Sequence, residues 1–90
     1  MAPRTKWVEL RLTPPGTRMA VAAGRYQIHL RIPPMFRGAA AGMVRSWGYK
    51  LRGGIRDHPS EPGVQVVDVE IPHADAVTIT DWTIRAYQAT

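Results

Sequence analysis

Gly24-Arg-Tyr-Gln-Ile-His-Leu-Arg-Ile32 is the most regular stretch of the chain. Tyr26, Ile28, Leu30 and Ile32 alternate with Arg25, Gln27, His29 and Arg31, which is the period-two pattern of a strand with one apolar and one polar face. Pro33-Pro34 stops it, because neither residue donates a backbone hydrogen bond to a ladder.

Working outward, Trp7-Val-Glu-Leu-Arg-Leu12 alternates in the same way and ends at the turn-forming Thr13-Pro-Pro-Gly16. Thr17–Gly24 is ambiguous between a short strand and a loop. Downstream, Phe36, Ala40, Met43 and Trp47 recur at helical spacing, so a helix is expected over about 35–47. Pro34 suits its first turn and Gly48 the position beyond its last. Tyr49–Arg52 suggests a short strand, and 56–63 an exposed loop rich in Asp, His, Pro and Ser. Val64–Ile71 alternates once more. In Ala76–Gln88 the apolar parity slips from odd (Val77, Ile79) to even (Trp82, Ile84, Ala86). Either a bulge near Thr80-Asp81 or a meeting of two short strands produces such a slip.

The expected fold is therefore α+β, a small two-layer ββαββ domain with one helix on an antiparallel sheet. A small all-β barrel or sandwich is the alternative. Ninety residues give one domain, 1–90, with 1–6 expected to be a flexible tail.

Composition narrows the chemistry. There is no Cys, so thiol nucleophiles, disulfides and Cys-based zinc sites are excluded. The two serines, Ser46 and Ser60, lack the strand-turn-helix setting of a nucleophile elbow. His58 and His73 each lie near a carboxylate, but no local ligand spacing joins them. No bound metal or cofactor and no enzymatic activity are expected. No apolar run is long enough to span a bilayer, and the first residues lack a signal peptide's apolar core. The expected location is a virion or the cytoplasm, with no membrane partner.

Charge is unevenly placed. Residues 1–56 hold eleven of the twelve Lys and Arg against one acid, Glu9, whereas 57–90 hold six acids against Arg85. The two halves either form separate surfaces or interleave and neutralise each other. Arg25, His29 and Arg31 project from one strand face, and Trp7 and Arg11 from a neighbouring strand. With Arg52 and Arg56 they form a candidate interaction surface. Three Trp, three Tyr and four Met are many for so short a chain, and outward aromatics mark contacts. These features point to a non-catalytic structural module, a small subunit that meets other protein subunits in multiple copies. A phage tail or baseplate component is the expected setting. The alternatives are a nucleic-acid-binding module that uses the basic strand face and a small phage-encoded inhibitor of a host protein.

Overall fold

The computed structural model describes residues 5–36 and 38–90. It is an α+β domain of mostly antiparallel sheet with one α-helix. In chain order the elements are β1 (Trp7–Glu9), β2 (Arg18–Val21), β3 (Gly24–Arg31), a 3-10 turn (Pro34–Phe36) and α1 (Ala39–Ser46). There follow β4 (Lys50–Leu51), β5 (Arg56–Asp57), β6 (Val64–Ile71), β7 (Asp75–Thr78) and β8 (Thr83–Ala89). The main sheet runs β1-β8-β3-β6-β4, with β5 also paired to β6. Strands β2 and β7 form a separate antiparallel ribbon.

The alternation around Ile28 places β3 at the centre of this sheet. Tyr26 lies opposite Val69, and Ile28 opposite Val67. On the other side Ile28 lies opposite Ala86. Directly opposed residues share a face, so the apolar residues of three strands converge on one side. There Ala40 and Val44 of α1 pack with Leu30, Val67 and Val69, all buried. The ribbon covers the rest of that side, with Val21 resting on the same core. Among the described residues no helix is long and apolar enough to cross a membrane.

The helix starts later than its spacing suggests. Pro33 and Pro34 lead into the 3-10 turn, closed by the Phe36 N–H on the Pro33 carbonyl at 2.9 Å. Gly38 then adopts a left-handed conformation (φ 96°), which breaks the path before Ala39. Phe36 consequently leaves the apolar stripe: it is 48% exposed, whereas Ala40 and Val44 are buried. At the far end the Gly48 N–H bonds to the Arg45 carbonyl at 2.9 Å, with Gly48 at φ 78°. Nothing lies within 4 Å of a Cβ added there, so only the backbone conformation resists a side chain. Gly48→Ala should lower the unfolding free energy by about 1 kcal/mol, measured by urea denaturation.

Three other expectations are adjusted. Thr17–Gly24 contains a strand, β2. The parity slip in 76–88 marks two strands in different sheets, β7 with β2 and β8 with β3. A further irregularity lies between the His29–Arg85 and Leu30–Thr83 pairs, which leaves Ile84 as the extra residue on β8. Residues 56–57, expected in the loop, pair with β6 instead. Of the expected tail 1–6, residues 1–4 lie outside the described residues, and the Lys6 carbonyl accepts the Thr90 N–H at 2.8 Å.

Candidate functional site

Strand pairing assembles the polar face of the sheet in rows. One row crosses Arg56, Val66, His29 and Arg85; the next crosses Asp68, Gln27, Tyr87 and Glu9. The segment 58–63 folds back over one end of this face and brings His58 and Glu61 to it.

His29 was expected at an exposed sheet position, yet it is 6% exposed. His58 packs edge-on against it at 5.3 Å, and Tyr87 lies 5.2 Å away on its own strand. Both ring nitrogens are engaged. Arg85 Nε donates to Nδ1 at 3.0 Å, so the proton sits on Nε2, which faces Gln27 Oε1 at 3.2 Å. Gln27 Nε2 donates onward to Asp68 Oδ1 at 3.3 Å, and Arg56 Nη1 donates to Asp68 Oδ2 at 2.9 Å. Burial holds the His29 imidazole below the ordinary histidine range, helped by the positive charge of Arg85 and the neighbouring His58.

Glu61 anchors the folded-back segment. Its Oε1 accepts from Arg85 Nη2 and faces His58 Nε2 at 3.6 Å, while Oε2 lies 3.9 Å from Arg31 Nη2. The Arg85 hydrogen bond holds its carboxyl below the usual carboxylate range. His58 in turn shapes the turn itself, since Nδ1 accepts the Ser60 and Glu61 backbone N–H groups at 3.1 and 3.0 Å. The outcome is one continuous chain of polar contacts from Glu61 through Arg85, His29 and Gln27 to Asp68 and Arg56. Its geometry clamps the 58–63 segment to the sheet.

The residues singled out from sequence separate on this face. His29, Arg31 and Arg56 enter the network. Arg52 pairs with Glu70 at 3.1 Å on the neighbouring strand. Trp7 is half-buried on the edge strand, and Arg11 and Arg25 are exposed without an ion pair among the described residues. The two halves of the charge pattern therefore interleave: Arg31, Arg52 and Arg56 each meet an acid from the final third. Each such exposed pair adds only about 0–1 kcal/mol, but together they cancel the field a polyanion would sense.

His58 and His73 occupy different loops. His58 faces the sheet, whereas His73 sits in the β6–β7 turn with Nδ1 by the Ala74 carbonyl at 3.2 Å. Among the described residues no three His, Cys, Asp or Glu side chains converge as a metal-ligand set.

Glu61, Gln27 and Arg85 were missed by the sequence reading. Arg85 carried a usable signal, as the lone base in an acidic third of the chain. Glu61 carried none, because only the fold brings its loop over the sheet.

The largest departure lies at the opposite end of β3. Met35 is 83% exposed and Phe36 48%. The Phe36 ring leans on Trp82, with centroids 5.6 Å apart and planes at 32°. Two prolines precede these residues, so the apolar knob stands on a stiff base. No family model, curated protein or solved structure matches the chain.

Proposed function

We propose that this chain is a non-catalytic interaction module, a small subunit that joins a larger protein assembly. The observation that supports this most directly is the knob. A soluble domain that turns a Met and a Phe outward on a rigid turn presents the kind of anchor that protein interfaces bury. Met also adapts to an irregular partner surface at low cost. The setting we assign it is a phage tail or baseplate, where small subunits repeat in many copies.

The charged sheet face gives less support to nucleic-acid binding. Three of its arginines, Arg31, Arg56 and Arg85, are occupied by Glu61 or Asp68, and His29 is covered. Fluorescence-anisotropy titration with a short single-stranded oligonucleotide and a duplex separates the two readings. At physiological salt we expect no saturable binding, and no change in Arg25→Ala/Arg31→Ala. Micromolar binding that weakens steeply with salt and is lost in the double variant would replace the assembly reading with nucleic-acid recognition.

A further inference from the structure

Besides the knob, the apolar side of the sheet carries a groove. It opens between the β2–β7 ribbon and the sheet, with Met19, Val21 and Val77 on one wall, Trp47 on the other and Ile28 on its floor. The space it encloses is about 450 Å³, within the range of roughly 300–1,000 Å³ that bound apolar groups fill. Ile28 shows that the covering layer is incomplete. It sits on the central strand between buried Val67 and Ala86, yet it is itself only partly buried. Neither α1 nor the ribbon closes over it.

We propose that the Met35–Phe36 knob of one copy seats in this groove of a second copy. Knob and groove match in chemistry, one an exposed thioether and aromatic ring, the other an open apolar floor. Within one chain they are held apart. The groove lies over Tyr26 and Ile28, whereas the knob follows Ile32, about 13 Å further along the strand direction at roughly 3.3 Å per residue. The contact is thus between different surfaces of two copies. Such a heterologous contact leaves a free knob at one end and a free groove at the other, so copies add head to tail into a ring or a row. The prolines that fix the knob limit the entropy lost on docking. The proposal rests on the assembly reading and specifies its partner.

Sedimentation velocity of the full chain from about 5 to 500 µM tests it. The wild type should gain mass with concentration, beyond a dimer. Met35→Ser/Phe36→Ser changes only exposed side chains, so it should keep its circular dichroism spectrum and remain a monomer. A groove variant, Val77→Lys, should also be monomeric, and mixing the two should give a species that stops at two copies. A wild type that stays monomeric throughout, or association that persists in Met35→Ser/Phe36→Ser, overturns the self-docking inference. In either case, recovery of a different protein partner through the knob would leave the interaction-module reading standing. If no protein partner of any kind is recovered, both fall.

Discussion

Leu30→Ala should be the most damaging conservative truncation in this domain, lowering the unfolding free energy by about 3 kcal/mol. Leu30 is 0% exposed and joins the central strand to the Val44 face of α1, so its removal leaves a cavity that neighbours on three elements must share. Against a total of roughly 5–15 kcal/mol for a domain, that loss brings the chain close to unfolding at room temperature. Ile28→Ala, two residues away on the same face, should cost only about 1–2 kcal/mol, since part of its surface already meets the open groove. Urea denaturation followed by tryptophan fluorescence reads both. Equal losses at the two positions would mean that the groove is closed.

The second large effect is a loss of stability in mild acid, with two limbs of the same sign. His29 is neutral in the fold, and its pKa is pushed down by burial and by Arg85 and His58. Below the ordinary histidine value of about 6.5 the unfolded chain takes up a proton that the folded chain refuses, so stability falls as pH falls through this range. Protonation at Nδ1 would also set an N–H against the Arg85 Nε–H and drive Arg85 off the ring. The Glu61 carboxyl is held low chiefly by its Arg85 hydrogen bond. Its contribution is present above the ordinary carboxylate value and is lost as pH falls through the depressed one. Urea unfolding at pH 7.5, 6, 5 and 4 should therefore show a decline in two stages. His29→Gln should be less stable than wild type at pH 7.5, by about 1–2 kcal/mol, because a buried acceptor for Arg85 is lost. Its stability should also stay flat between pH 7.5 and 5. A wild type as stable at pH 5 as at 7.5 would contradict the buried, neutral His29.

What the sequence disclosed follows from the reach of each interaction. Val64–Ile71 appears as the strand its alternation predicts, and Gly24–Ile32 matches within one residue, because period-two patterning is a local record of which face is buried. The helix stripe was legible at Ala40, Met43 and Trp47 but misleading at Phe36. There the spacing is helical, and the backbone is diverted by two prolines and a left-handed Gly38 before the helix begins. That diversion turned an expected core residue into the outward knob. The parity slip at 76–88 was visible, but pairing β7 with β2 is a long-range choice that local pattern does not record. The polar face shows the same limit. Arg25, His29 and Arg31 were correctly set on one strand face. Cross-strand register then placed the acids of β6 alongside the basic strands, and the fold of 58–63 brought Glu61 over Arg31 and Arg85.

Affinity recovery of the tagged full chain from its native source, before and after nuclease, tests the interaction-module claim most directly. We expect defined protein partners, this chain itself among them, that survive nuclease and are lost from Met35→Ser/Phe36→Ser. Recovery of nucleic acid, with every protein lost on nuclease treatment and no effect of the knob substitutions, would contradict the account.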